Sequence, residues 1–341
     1  MANLEPLIQS IPVAPLKLAS LEGCRTLADQ VNNYLVSFRH ESPTNVGQAD
    51  SLQGYCADSY LLECECPRFG SGEGKGVLKE SVRGCDLFIM VDVANYSLTY
   101  RVNGYENHMS PDNHYQDLKR IISAADGKAR RINVIMPFLY EGRQHKRSKR
   151  ESLDCALMLQ ELVDMGVSNI LTFDAHDPRV SNSIPLHGFD SFMPTYQFLK
   201  ALVNSVPDFV IDNDHLMIIS PDEGAMGRAV YFSNILGVDM GMFYKRRDYS
   251  TVINGKNPIV AHEFLGSDIK GKSVIIIDDM ISSGESMLDV AKQMKDRGAK
   301  QVFVCTTFGL FTDGFEKFDE FHEKGYIDRV ITTNLTYLPP A

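Results

Sequence analysis

The sequence predicts an α/β fold made of two successive doubly wound domains, and three observations carry that expectation. Short apolar runs rich in β-branched residues alternate with segments of helical period. Several of those runs are apolar without interruption, as strands buried on both faces are, which points to parallel sheets covered by helices. The runs also fall into two sets, one ending near residue 176 and one beginning near 215.

In the first set, "DLFIMVDV" (86–93), "INVIMPFLY" (132–140) and "NILTFDAH" (169–176) read as strands. Between the last two, "ESLDCALMLQELVDMGV" spaces its apolar residues by three and four and stops near a glycine, as a helix does. A helix-like "MPTYQFLKALVNSV" leads to the second set: "HLMIISPDEG" (215–224), "DMGMFYKRR" (239–247), "KSVIIIDDM" (272–280), "QVFVCTTFGLF" (301–311) and "RVITTNL" (329–335). Within it, "SGESMLDVAKQMKDRGAK" has helical period. A boundary near residue 190 gives domains 1–190 and 191–341, each long enough to bury its own core. The polar stretches around 37–60 and 95–115 show no assignable period, and "FGSGEGKG" (69–76) is glycine-rich enough to be a mobile loop.

Composition narrows the function classes. Hydrophobic residues are 44% and charged residues 23%, and no window is long and apolar enough for a membrane span. The N-terminus lacks a basic segment followed by a compact apolar core, so a cytoplasmic protein is expected. A net charge of -10 argues against nucleic acid as a partner. Basic residues nevertheless cluster in "GRQHKRSKR" (142–150) and "YKRRDY" (244–249), which suits a small anionic substrate; either run alone reads equally as a solvated loop. Seven cysteines without a CxxC pair argue against a disulfide framework and a structural zinc, and "CEC" at 64–66 reads as alternating strand residues.

The most informative stretch is "VIIIDDMISSGES", Val274 to Ser286. A strand ends in Asp278 and Asp279, then Ser282, Ser283, Gly284 and Ser286 open a helix. Helix N-termini offer unpaired N–H groups and a positive dipole end, and a glycine lets backbone approach closely, so the loop suits a phosphate. The carboxylates suit hydroxyls elsewhere on the same ligand, and a sugar phosphate satisfies both. The alternative is an ordinary N-cap with solvated aspartates.

This loop resembles the ribose-5-phosphate loop of type I phosphoribosyltransferases and ribose-phosphate pyrophosphokinases. The pyrophosphokinases match more closely, because five further segments follow their order. "FGSGEG" is similar to their Phe-Ser-Asn-Gly-Glu nucleotide loop, "RQHKR" to Arg-Gln-Asp-Arg-Lys and "TFDAH" to Thr-Met-Asp-Leu-His. "SPDEGAMGRA" resembles a Ser-Pro-Asp-x-Gly strand end, and "YKRR" a catalytic Lys-x-Arg.

The resemblance implies two tandem type I phosphoribosyltransferase-like domains, each a mainly parallel sheet flanked by helices, and transfer of the pyrophosphoryl group of MgATP to the anomeric hydroxyl of ribose 5-phosphate. It implies that Phe69, Ser71 and Glu73 contact adenine across a subunit boundary, so that the protein is a homo-oligomer, a dimer or a multiple of it. Arg143 and Gln144 would hold the nucleotide; His176 and Asp222, with Asp174, would lie near Mg²⁺; Lys245 and Arg247 would clamp the transferring group. Asp278, Asp279, Ser282, Ser283, Gly284 and Ser286 would bind ribose 5-phosphate, with Asp279 the nearest candidate base. The chemistry is consistent, since pyrophosphoryl transfer gathers negative charge and needs Mg²⁺ and fixed cations more than a covalent nucleophile. "DYSTVINGKNPIVAH", after the Lys-Arg-Arg, is long enough to close as a lid. Read without the resemblance, His176 is equally a core histidine and Asp222 equally a helix N-cap.

The family loop usually reads Asp-Asp-Met-x-Asp-Thr-x-Gly-Thr. Here Ser282 replaces the third aspartate, Ser283 and Ser286 replace threonines, Gly284 comes one residue early and Glu285 stands where glycine is expected. Ser71 stands in place of asparagine, His145 in place of an acid, and the chain is longer around 37–60 and 95–115. The early glycine is the arrangement of phosphoribosyltransferases, which leaves that activity, or a non-catalytic regulatory role beside a synthetase, as alternatives.

Overall fold

A computed structural model describes residues 12–41, 54–247 and 259–339, except for the side chains at 245–247 and 259–262. It divides into two compact units, 1–192 with 334–341, and 193–333. The last residues of the chain, which the sequence places in the second half, therefore belong with the first.

The first unit is a six-stranded sheet, all its pairings parallel. Its strands are β1 (Leu16–Ser20), β2 (Leu61–Leu62), β5 (Asp86–Met90), β8 (Arg131–Ile135), β9 (Val167–Phe173) and β10 (Gly188–Phe192), in the order β10-β9-β8-β5-β1-β2. On one face Leu87, Ile89, Val134 and Ile170 pack with α2 (Pro111–Ala124) and α3 (Asp154–Asp164) through Leu118, Ile121, Leu159 and Leu162. On the other, Leu18 and Met90 cluster with Ala28 of α1 (Arg25–Glu41). Fully burying a side chain of this kind contributes about 1.5–3 kcal/mol, which explains the uninterrupted apolar runs. The stretch around 95–115 is ordered: β6 (Thr99–Val102) and β7 (Tyr105–His108) form an antiparallel hairpin, and Ser110 caps α2 by accepting from the Asn113 amide. Of the stretch around 37–60, α1 covers the start, and residues 42–53 lie outside the described residues. In "CEC", Cys64 and Glu65 form β3 (Cys64–Glu65) with the sulfur inward and the carboxylate outward; it pairs with β4 (Val77–Leu78). The C-terminal tail returns to this unit, where the Tyr337 amide donates to Asp92 at 2.7 Å.

The second unit orders β11 (Leu216–Ser220), β12 (Met240–Arg247), β13 (Ile259–Leu265), β14 (Ser273–Ile281), β15 (Gln301–Gly309) and β16 (Arg329–Thr332) as β13-β12-β11-β14-β15-β16. Only β13 runs antiparallel, at the edge. The "VIII" run shows why it is apolar throughout. Val274 and Ile276 pack with Val290, Ala291 and Met294 of α6 (Glu285–Asp296). Ile275 and Ile277 pack with Phe198 and Leu202 of α4 (Thr195–Ser205) and Ala229 and Phe232 of α5 (Met226–Leu236). α7 (Glu316–Glu323) follows β15. Of the expected lid, residues 248–258 lie outside the described residues, and 259–262 are strand rather than loop.

Candidate active site

In the second unit, β11 and β14 are parallel neighbours with Ile219 beside Ile276. The chain leaves β11 toward β12 on one side and leaves β14 toward β15 on the other. The crevice beyond their carboxyl ends is thus a topological switch point, where open α/β sheets take ligands. Asp222, Asp278, Asp279 and the 282–286 loop all come to this end of the sheet.

The two adjacent aspartates have different surroundings. Asp279 is 3% exposed and meets Arg228 of α5, Oδ2 to Nη2 at 3.6 Å. Asp278 is half-buried, and its Oδ1 accepts from the Asp279 amide at 2.8 Å. Burial, then the Asp279 carboxylate and a hydrogen bond with it, push the Asp278 pKa well above the usual carboxylate range, and Asp222 adds to the effect. Asp222 caps the turn into α5, accepting at Oδ1 from the amides of Gly224 (2.9 Å) and Ala225 (3.2 Å). Asp222 thus braces the turn ahead of α5 and not the helix start, whose N-cap is Ala225 with no side-chain cap, and its charge is felt at Asp278.

The loop beyond β14 is braced from the β15 side: Leu310 N–H donates to Ile281 O at 2.9 Å and Thr312 N–H to Ser282 O at 3.0 Å. Gly284 has φ +81°, and an ideal Cβ there would lie 2.6 Å from Phe318 Cε2 and closer still to Cζ. Phe318 is itself held edge-to-face by Phe311, with centroids 5.3 Å apart. The early glycine is thus fixed by backbone hand and by an aromatic ring. The N-cap of α6 is Gly284, which brings no side-chain cap, and a helix start of this kind offers N–H groups to an anion. Glu285, at the position expected to be glycine, pairs with Lys317 on α7 at 3.2 Å.

In the first unit, β8 and β9 are parallel neighbours, and their following segments meet. Arg143 is exposed and Gln144 half-buried in a turn closed by Gln144 N–H to Glu141 O at 2.8 Å. His145, after them, packs against His176 with ring centroids 5.3 Å apart. Asp174 is buried with φ +38°, a conformation uncommon for a residue with a Cβ and enriched at functional sites. His145 Nε2 lies 3.6 Å from Asp177 Oδ2, and its buried Nδ1 meets no hydrogen-bond partner of good geometry among the described residues. Burial holds the His145 pKa down. Arg179 hydrogen bonds hold Asp177 at about 2.

The 69–76 segment is pinned, contrary to the mobile loop its glycines suggest. Phe69 N–H donates to Glu73 O at 2.7 Å, Gly72 N–H to Phe69 O at 2.8 Å, and Ser71 Oγ to Glu73 Oε2 at 2.8 Å. Arg68 donates twice to Asp117 of α2, at 2.6 and 2.7 Å, and Arg120 joins the same carboxylate. Gly74 lies against both guanidinium groups, where a Cβ would fall 2.9 Å from Arg120 Nη1. Glycine serves close approach here, not freedom. Phe69, 55% exposed, stands clear at the head of the loop. The backbones of Lys245 and Arg247 lie on β12 beside His262 and Ile259; their side chains lie outside the described residues.

Residues 16–166 match the model for the N-terminal domain of ribose phosphate pyrophosphokinase, and residues 199–333 match the phosphoribosyl transferase domain. A ribose-phosphate pyrophosphokinase of Thermosipho africanus is 31% identical over 74% of this chain and 73% of its own length. This chain belongs to the ribose-phosphate pyrophosphokinase family. One from Clostridium perfringens is 29% identical over 82% of this chain and 79% of its own. The phosphoribosylpyrophosphate synthetase of Mycobacterium smegmatis shares the fold, with a TM-score of 0.73 at 23% identity over 95% of this chain and 90% of that one. As a member, the chain is a transferase that forms phosphoribosyl pyrophosphate, with the two phosphoribosyltransferase-like domains of its family.

Sequence reading passed over Arg228, although a lone cation in the otherwise apolar "AMGRAVYF" was a signal that it pairs with something buried. It noted His145 only as a departure and did not foresee its packing on His176. Among the described residues no three His, Cys, Asp or Glu side chains converge as a metal cage, and no helix is long and apolar enough to cross a membrane.

Proposed function

We propose that the chain divides its two substrates between its units, ATP on the first and ribose 5-phosphate on the second. In this reading Phe69 stacks on adenine with Ser71 and Glu73 beside it, and Arg143 and Gln144 hold the nucleotide. The 69–73 loop serves a neighbouring copy, as the family resemblance implies, and the protein is a homo-oligomer acting in the cytoplasm.

On the acceptor side the α6 N-terminus and the serines of the 282–286 loop take the 5-phosphate. Asp278 accepts from ring hydroxyls, while Asp279, turned to Arg228, positions it. With Glu285 drawn to Lys317, the substitution at that position adds no carboxylate to the phosphate cradle. Lys245 and Arg247 neutralise the transferring group.

The donor set fits Mg²⁺ better than a softer ion. Mg²⁺ takes one or two carboxylates, completes its shell with phosphate and water, and does not need a protein cage. Asp174, with the imidazole nitrogen of His176, in the first unit, and separately Asp222 in the second, are the donors that would hold it. Bound there, it would offset the charge on the phosphoryl oxygens.

The observation that carries the reading is the acceptor crevice: a carboxylate held near Asp222 and an uncapped helix N-terminus at one switch point. The test is incubation with Mg²⁺, ATP and ribose 5-phosphate. AMP, not ADP, is expected in step with phosphoribosyl pyrophosphate. Turnover only when phosphoribosyl pyrophosphate and a base are supplied would overturn it.

A further inference from the structure

The β6–β7 hairpin contributes little to any core. All four residues of β7 are exposed, β6 alternates exposed and half-buried, and a two-stranded hairpin alone is marginal in water. Its contacts concentrate on one neighbour. At its tip, Asn103 N–H donates to Gly70 O at 3.0 Å. Val102 Cγ2 covers Gly72 so closely that a Cβ there would lie 2.8 Å away, and Gly72 has φ +91°. On its inner side the Tyr100 ring lies under the Arg68 guanidinium, 5.3 Å from centroid to Cζ, in the residue before Phe69. Tyr100 Oη also donates to Asn113 of α2 at 3.3 Å. The hairpin thus grips the 69–73 loop at 70 and 72 and at its entry.

We propose that this hairpin is a positioning element for nucleotide binding, with Val102 and Asn103 fixing the backbone of Gly70 to Gly72 and so the pose of Phe69 and Glu73. The proposal rests on the reading of Phe69 to Glu73 as the adenine loop. An exposed loop that must present an aromatic ring to a purine loses affinity with each conformer it samples, and bracing removes that cost. The arginine network holds the loop from below, through Asp117, and the hairpin holds it from above. The Asn-Gly turn suits this use. Asn103 and Gly104 both have positive φ, the tight two-residue geometry that directs the Asn103 N–H outward to Gly70.

Two variants of the full-length protein test it. Val102→Ala removes the cover on Gly72. Replacement of Thr99–His108 by two glycines removes the hairpin, which is feasible because Met109 N–H already donates to Leu98 O at 2.8 Å across its base. Both are expected to raise the KM for ATP, by roughly threefold and at least tenfold, with the KM for ribose 5-phosphate within twofold of wild type; Val102→Ile restores the ATP value. Phe69→Ala is the control. If it leaves the KM for ATP unchanged, the adenine-loop reading fails. If it raises that KM while neither hairpin variant does, or if they change both KM values equally, the positioning role is overturned.

Discussion

Gly284→Ala separates the two constraints on the acceptor loop. The residue has φ +81°, and a Cβ would lie 2.6 Å from Phe318 Cε2. Placing an L side chain in the left-handed region costs about 1–2 kcal/mol, and overpacking a filled site adds about 1–3 kcal/mol. Reduced freedom of the unfolded chain returns about 0.4–1 kcal/mol. The net expectation is a loss of about 2–4 kcal/mol, read from urea unfolding with an unchanged m-value. Because the strained residue precedes the first turn of α6, the KM for ribose 5-phosphate should rise at least tenfold. In a Phe318→Leu background the ring contact is absent and only the backbone part of the cost remains. A double-mutant cycle should therefore give a coupling of about 1–3 kcal/mol. Additive effects, with an unchanged KM, would refute the account of why glycine stands there.

Further outcomes follow from the same unit. The Asp278 proton is held above the usual carboxylate range by burial and by Asp279 and Asp222, so stability is fully present below the unfolded-chain pKa and declines as pH rises through the raised one. Asp278→Asn should flatten that decline and raise the Tm at pH 8; a steeper decline would contradict the burial argument. Arg228→Ala leaves the Asp279 carboxylate buried without this guanidinium and should cost about 3–5 kcal/mol, measured by urea unfolding, against which a surface-like change below 1 kcal/mol would count. Glu285→Gln breaks only an exposed pair with Lys317, so stability should move by less than about 1 kcal/mol and the KM for ribose 5-phosphate should hold; a marked fall in that KM would mean Glu285 faces the phosphate.

The strand cores were the most legible part of the chain. "VIII" is apolar at every position because alternate residues meet α6 on one face and α4 and α5 on the other, and that requirement is written in composition. α1 was missed because "RTLADQVNNYLVSFRHE" buries only Ala28 and Asn32 fully and carries polar residues around the rest. The β6–β7 hairpin was missed despite its Asn-Gly signal, since strands with one or no buried face lack the apolar run that marks the others. β13 escaped because most of the connection before it is polar. At the site, residue types were readable and their relations were not. "DD" gave two carboxylates, but which one turns to Arg228 is decided by packing between β14 and α5. "FGSGEGKG" gave glycines, but whether glycine means freedom or close approach depends on the set of Arg68 and on Arg120 and Val102, which come from elsewhere in the chain.

The division of substrates between the units is tested most directly by the two KM values of Asp278→Asn. Loss of the partner of a buried hydroxyl costs about 1–3 kcal/mol, so the KM for ribose 5-phosphate should rise roughly 5- to 100-fold while the KM for ATP stays within twofold. An unchanged KM for ribose 5-phosphate, or an equal rise in both, would contradict the account.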